Sequence, residues 1–408
     1  MAPPPDGHLR IIGRAGVRSA QPERLGQPAG YCTGHELGRG EQISGGDNTT
    51  GLLGRFDRAN ASTQWDVVII SVSLFNEGIT GPNPESVFQG YVTNINRLVE
   101  RVRQTGAVPV VTGTYPNNNY NASHIEYCRR FNRLLSTMNV ASINFMGTLD
   151  DGNGHWMAGY FFDALHPNDA GHEEMFRAIP LSLFDHLLSS NAPVASAICS
   201  AAMLDEDTTT GSPLQFASEL PLHSFTTSFW FRNLDTDPAK TLLGLGTNTS
   251  RVHTTDGWLH YTTARADLVW TNANPTLDRA WHHCAIAHSH ARNLTFFYVN
   301  GQLAGSVSEH FESVSQLTLA GRGDGNASGN ARQAEFQNWT LHRSCLDSNE
   351  VQLLYSTRVL KDSLELYAPL NDFDFSIGTV PANLAPNNGA VQIHSPSLRA
   401  DPSADCRF

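Results

Sequence analysis

Between Asp66 and Leu188 short apolar runs alternate with segments of helical spacing, and that rhythm stops near residue 200. The run "DVVIISVSL" is rich in Val and Ile and reads as a buried strand. "PESVFQGYVTNINRLVERVRQTG" carries its apolar residues at helical spacing and ends on Gly106. "AVPVVTGTYP" and "VASINFMG" read as further strands, and "SHIEYCRRFNRLLSTM" and "DAGHEEMFRAIPLSLFDHLLS" as helices. Strands alternating with helices predict an α/β unit with a parallel sheet covered on both faces. A site in such a unit lies beyond the carboxyl ends of the strands.

After the small, polar stretch "SSNAPVASAICSAA" the texture changes. "SFTTSFWFR", "WLHYTTA", "HHCAIAHS", "LTFFYVNGQLAGSVS" and "SQLTLAG" are short alternating or aromatic runs separated by Gly, Asn and Asp, and "VNGQ" sets an Asn-Gly turn between two of them. This predicts an all-β sandwich. The expected division is an irregular N-terminus over 1–39, the α/β unit over 40–188, a linker over 189–200, the sandwich over 201–370, and a tail over 371–408 that is either a closing strand or an unfinished second repeat.

A chain of 408 residues, 40% hydrophobic and 16% charged, is long enough for two such cores. Its net charge of −12, from 39 acidic against 27 basic residues without a Lys/Arg cluster, makes nucleic acid an unexpected partner. The longest apolar runs are far short of a membrane span, and "MAPPPDGHLR" lacks the apolar core of a signal peptide. Triplets of the form Asn-x-Ser/Thr at Asn48, Asn60, Asn121, Asn248, Asn293, Asn326 and Asn338 nevertheless lean toward an extracellular glycoprotein. Cys32, Cys128, Cys199, Cys284, Cys345 and Cys406 show no Cys/His metal spacing, so no structural zinc site is expected, and both disulfides and buried thiols fit.

In "FFDALHPNDAGHEEM" an Asp and a His stand three residues apart on a loop entering a helix. A histidine acts as general base only when its tautomer and ring are fixed, and a carboxylate on one ring nitrogen does that. Asp163 and His166 are spaced to pair, with Pro167 stiffening the turn; taken alone, the stretch also reads as a surface loop capping the helix through Asn168 or Asp169. It has company. The Gly-rich "QISGGDNTTGLLGRF" offers backbone N–H groups, and Asn76 in "VVIISVSLFNEGI" offers a side-chain amide, the donor types an oxyanion hole uses.

These blocks, in this order, resemble the SGNH (GDSL-like) hydrolase family of esterases and acetylesterases over roughly residues 40 to 188. The resemblance implies a flavodoxin-like parallel sheet, with Asp163 and His166 as triad acid and base. It also implies Gly46 (with Gly45 as the neighbouring alternative) and Asn76 as oxyanion donors, with Leu74 and Glu77 standing where the family has Gly and Asp. The family's first block, Gly-Asp-Ser after the first strand, is nowhere in the chain. In "HLRIIGRAGVRSAQPE", "RII" fits the first strand and Gly13-Arg14-Ala15 falls where that block belongs; Ser19 is the hydroxyl residue nearby, in surroundings unlike the family's, and Ser44, Ser71 and Ser73 read as structural. Either the N-terminal stretch is wrongly assembled or the chain is a pseudoenzyme.

The second half resembles a laminin-G-like, concanavalin-like jelly roll through its "SFWFR" and "WHHCA" strands, "FFYVNGQLAG" hairpin and "LDSNEVQLLY" tail. Such domains bind glycans or proteins, sometimes through calcium; Asp324 in "GRGDGNASGN" is a candidate oxygen ligand, though a polar hairpin loop is the simpler reading. His282, His283, His288 and His290 read as solvent-facing or core-edge residues, and Trp230, Trp258, Trp270 and Trp281 as core aromatics. The expected function is secreted ester hydrolysis by a Ser-His-Asp mechanism, without metal or organic cofactor, on a glycan or polysaccharide ester. The competing expectation is a noncatalytic glycan- or protein-binding protein, and a third is a cytosolic lipase or thioesterase.

Overall fold

The structure is a computed structural model that describes residues 8–12, 38–42, 46–60, 65–180, 183, 201–204, 214–234, 239–246, 250–272, 278–311, 314–322, 331, 333–356, 359–370, 385, 391–393 and 398–401. The chain divides into two compact units, residues 1–190 with 361–363, and residues 191–360 with 364–408.

In the first unit the strands β1 (His8–Ile12), β2 (Gly38–Gln42), β3 (Val67–Ile70), β4 (Val108–Thr112) and β5 (Ala141–Ile143) form one parallel sheet in the order β2-β1-β3-β4-β5. That is the flavodoxin-like order. Successive strand residues point to opposite faces. Val68 and Ile70 therefore pack with Leu52, Phe56, Tyr91 and Leu98, while Val67 and Ile69 pack with Val110, Ile143, Leu149 and Trp156. The first cluster is roofed by helices α1 (Thr49–Asn60), α2 (Pro84–Gln104) and α3 (Ala122–Thr137); α4 (Met146–Leu149) and α5 (Asp169–Arg177) supply Leu149 and Met175 to the second.

Three details differ from the sequence expectation. The stretch 1–39, read as irregular apart from the "RII" candidate strand, contains β1, which includes "RII" and lies between β2 and β3. Strand β3 stops after four residues, and Asn76 lies six residues beyond it in a turn closed by the Gly78 N–H on the Phe75 carbonyl. Helix α5 ends at Arg177, three residues before Pro180, whose missing N–H cannot extend it.

The second unit is the expected antiparallel sandwich. One sheet runs β12-β11-β10-β9-β16-β7-β19, from β7 (Leu214–Leu222), β9 (Thr241–Leu245), β10 (Arg251–Thr255), β11 (Trp258–Thr262), β12 (Asp267–Trp270), β16 (Val314–Leu319) and β19 (Val391–Ile393). The other runs β15-β14-β13-β8-β17-β6-β20, from β6 (Ala201–Leu204), β8 (Phe225–Asn233), β13 (His282–Ser289), β14 (Leu294–Val299), β15 (Gln302–Ser308), β17 (Ala334–His342) and β20 (Leu398–Asp401), with β18 (Leu364–Ala368) also on β17. Phe216, Leu243, Tyr261 and Leu317 of the first sheet meet Phe229, Phe231, Phe297 and Phe336 of the second in one core. The β14–β15 hairpin turns on Asn300 and Gly301, both at positive φ (50° and 74°), as a type I′ turn requires.

Helix α6 (Ser348–Tyr355), started by a reciprocal capping box between Asp347 and Glu350, lays Val351 and Leu354 on Ala285, Ala287 and Tyr298. Strand β13 is thus covered on both faces, and this corrects the reading of its histidines: His282, His283 and His288 are buried, and only His290, just past the strand, is half-buried. Trp230, Trp270 and Trp281 are buried, but Trp258 is half-exposed on β11. The tail closes the sandwich by adding β19 to β7 and β20 to β6. Cys128, Cys284 and Cys345 are buried, burial pushing the Cys128 thiol up to about 12. Cys32, Cys199, Cys406 and Asp324, and the 189–200 linker, lie outside the described residues.

Candidate active site

The loop that carries the Asp-x-x-His stretch is a short, tightly laced hairpin. Phe161 bridges Pro167, the Phe162 N–H donates to the His166 carbonyl at 2.8 Å, and the Asn168 amide donates to the Gly159 carbonyl at 2.8 Å. Asn168 also accepts the Gly171 N–H at 3.0 Å, so it caps α5 while Asp163 is free for the histidine.

Inside this hairpin His166 Nδ1 lies 2.8 Å from Asp163 Oδ1 and 2.9 Å from Oδ2, and Oδ1 also accepts the N–H groups of Leu165 (2.8 Å) and His166 (2.9 Å). Partial burial acts to raise the Asp163 pKa, but the bonds from the ring and from those two N–H groups hold the carboxyl below its ordinary value. An ionised Asp163 fixes the proton on Nδ1. Nε2 has no hydrogen-bond partner among the described residues.

Gly46 follows β2, Asn76 follows β3, and Asp163 and His166 follow β5, so all four leave the sheet at its carboxyl edge. Gly46 has φ +74°, a conformation that glycine adopts without steric cost. The Asn76 amide donates to the carbonyl of Asp47 at 3.1 Å, which joins the β3 turn to the residue after Gly46. Glu77, in place of the family's Asp, accepts the Thr49 N–H at the start of α1; burial raises its pKa, with that bond opposing and the Asp47 charge assisting. Asp47 in turn pairs with Arg55.

The loop after β4 links these pieces. Phe75 and Tyr120 pack with ring centroids 6.3 Å apart, and the Asn118 N–H donates to the Ala164 carbonyl at 3.0 Å while its side chain accepts the Trp156 N–H at 2.9 Å. Asn118 has no sequence signal of its own, because its partners are distant in the chain. Phe162, beside His166, is 65% exposed, which the apolar pair "FF" does not announce. Ser71 accepts from Thr112 at 3.0 Å and Ser73 from the Phe75 N–H at 3.1 Å, tasks that are structural. Ser19, Ser44 and Gly45 lie outside the described residues. Of the glycosylation triplets, Asn121 and Asn293 are exposed, Asn48 and Asn338 half-buried, the Asn60 side chain is outside the described set, and so are Asn248 and Asn326. Among the described residues no helix is long and apolar enough to cross a membrane.

A family model for GDSL-like lipases and acylhydrolases matches residues 20–174, a span that begins after β1 and Ser19. A second, for the concanavalin A-like lectin/glucanases superfamily, matches residues 207–352. No curated protein matches the chain. Among solved structures, the chain is similar to a Bacteroides ovatus protein assigned to carbohydrate binding (15% identity over 50% of this chain and 57% of that one, TM-score 0.35). It is also similar to a heptameric SAP-like pentraxin from Limulus polyphemus (11%, 50% and 99%, TM-score 0.34). A third is a catalytic mutant of an acetylxylan esterase from Geobacillus stearothermophilus (13%, 42% and 91%, TM-score 0.36). The chain spans 57% of the first of these and nearly all of the other two. The chain carries a GDSL-like lipase/acylhydrolase domain followed by a laminin G-like domain of the concanavalin type.

Proposed function

We propose that the protein is a secreted carboxylic-ester hydrolase acting on ester groups of a glycan or polysaccharide. The reading is carried by one observation, the His166 ring held through Nδ1 by Asp163 with Nε2 left for a nucleophile. In the reaction a serine hydroxyl attacks the ester carbonyl while His166 Nε2 takes its proton. The Gly46 N–H and the second Asn76 amide hydrogen hold the oxyanion. The protonated ring then gives its proton to the departing alcohol, and water hydrolyses the acyl-enzyme by the same steps. No metal or organic cofactor enters these steps. Ser19 is the nucleophile candidate on the N-terminal stretch. The exposed Phe162 supplies an apolar wall beside the histidine.

The attached lectin-like domain favours a polymeric substrate, because tethering raises the local concentration of ester near the site. Exposed acceptor triplets at Asn121 and Asn293 favour the extracellular location. A second reading, a glycan- or protein-binding protein on a hydrolase scaffold, is favoured by the missing Gly-Asp-Ser string and by a family match that starts at residue 20.

Labelling of the full chain with a fluorophosphonate serine-hydrolase probe separates the two. Labelling lost in both His166→Ala and Ser19→Ala supports hydrolysis with Ser19 as nucleophile, and labelling lost only in His166→Ala moves the nucleophile to another serine. Absence of labelling, with no acetate released from acetylated xylan, supports the binding reading.

A further inference from the structure

Three side chains on the outer face of the β10-β11-β12 edge converge in a way that neither domain's proposed role uses. His253 and His260 are directly opposite in the β10–β11 register, and Thr262 is opposite Asp267 in the β11–β12 register. The two imidazoles stack with centroids 5.2 Å apart. Residues alternate along these strands, so Val252, Leu259 and Tyr261 enter the core while His253, His260 and Thr262 stand outside it.

We propose that His253, His260 and Asp267 form a binding site for a zinc-class divalent ion. Each brings one ligand atom to within 4.8 Å of the others'. Ligand atoms around a tetrahedral ion with bonds of about 2.0–2.2 Å lie roughly 3.3–3.6 Å apart, so the site closes by side-chain shifts of about an ångström.

The hydrogen bonding around these groups already gathers the donors at one point. His260 Nδ1 is 2.9 Å from Asp267 Oδ2, and the Thr262 hydroxyl is 2.6 Å from Asp267 Oδ1 and 2.7 Å from His253 Nε2. An ion that displaces the shared protons inherits this ring, with Thr262 or water as a further oxygen. His260 Nε2 is buried without a hydrogen-bond partner, so the protein's own donors leave that ring incompletely used. Two imidazoles and one carboxylate select zinc, nickel or copper; calcium, which takes six to eight oxygens, is poorly served.

The consequence is mechanical. Among the described residues β12 is the outer strand of its sheet, bonded on one side only, and the ion ties it to both β11 and β10. Where Thr262 does not bind, the fourth coordination position is open for water or for an oxygen of a ligand. The inference stands apart from the proposed esterase reading and survives its failure.

The test is zinc titration of the untagged full chain by calorimetry and thermal melting, with calcium alongside, for wild type, His253→Ala, His260→Ala and the exposed-site variant Asp267→Asn. The expected result is one zinc equivalent, lost or weakened at least about tenfold in each variant, since even removing an outer partner of a metal ligand costs roughly 10–100-fold. A zinc-dependent rise in the wild-type melting temperature, absent with calcium, should accompany it. Should a histidine variant fold poorly, the Co²⁺ absorption spectrum of the wild type and of Asp267→Asn still decides: histidine-type bands that weaken in Asp267→Asn support the site. Unchanged stoichiometry and affinity in the variants, or no Co²⁺ bands in the wild type, overturn it.

Discussion

His166 Nδ1 sits within 2.9 Å of both carboxylate oxygens of Asp163, and the same carboxylate receives two backbone N–H groups from the hairpin that presents it. The carboxylate therefore fixes both the position of the hairpin and the tautomer of the ring. Replacing Asp163 by Asn retains the size but offers an amide whose N–H group competes with the ring proton. The expected loss is on the order of 10³–10⁴ in kcat with a small change in KM, measured with a chromogenic acetate ester, while the melting temperature stays within a few degrees.

Asn76 spends one amide hydrogen on the Asp47 carbonyl at 3.1 Å, which aims the other. Asn76→Ala should lower kcat by roughly 10²–10³. Asn76→Asp should do no better, because a carboxylate repels the developing oxyanion. A KM effect without a kcat effect in either variant would remove Asn76 from the oxyanion site.

Gly171 and Gly54 are both helical, and alanine should act oppositely at the two. A Cβ on Gly171 would meet the Tyr160 carbonyl oxygen at 2.2 Å and Pro167 Cβ at 2.8 Å, whereas one on Gly54 meets nothing within 4 Å. Gly171→Ala should destabilise the first unit by ~1–3 kcal/mol through overpacking and displace the His166 hairpin, lowering kcat with it. Gly54→Ala should stabilise by about 0.5–1 kcal/mol through helix propensity. Urea unfolding of both variants measures the contrast.

Within the sandwich, Arg343 Nε is 2.6 Å from Glu365 Oε2, with both side chains almost fully buried, and its Nη2 donates to the Leu220 carbonyl at 2.8 Å. Arg343→Met strands the Glu365 charge and should cost ~3–5 kcal/mol, whereas Arg343→Met with Glu365→Leu should recover most of that loss. A double variant no more stable than the single one would mean that the pair's other hydrogen bonds carry its value.

Burial holds the imidazoles of His283 and His288 down to about 3. An unfolded chain titrates its histidines near 6.5, so between those values it takes up protons that the native sandwich refuses. Stability is complete above about pH 6.5 and falls as pH drops toward 3, by up to ~1.4 kcal/mol per pH unit for each histidine. Urea midpoints across pH 7 to 4 should fall, and His283→Phe should flatten that slope.

What could be read from the chain follows the range of the interactions involved. "VVII" announced a strand buried on both faces because the run itself carries the information, and Asn300-Gly301 announced its turn for the same reason. The Asp163 and His166 pairing was legible because the partners are three residues apart. His283 was misread because alternation along β13 predicts one solvent-facing side, and the roof over that side is α6, some sixty residues later; His288 is on the opposite, inter-sheet face, packed against Phe225 and Phe311. The grouping of His253, His260 and Asp267 was invisible because it depends on the register of three strands, and Asn118 because its partners come from a distant loop.

The tail that closes the sandwich adds one strand to each sheet, β19 covering part of the nine-residue β7 and β20 covering β6. Loss of the residues after 370 would move the open edge of each sheet inward at once, from the three-residue β19 to the nine-residue β7 and from β20 to β6, giving the first sheet a longer row of backbone donors and acceptors for pairing with other chains. The last 38 residues thus keep the longer edge of the first sheet covered, and their loss would show first as oligomers.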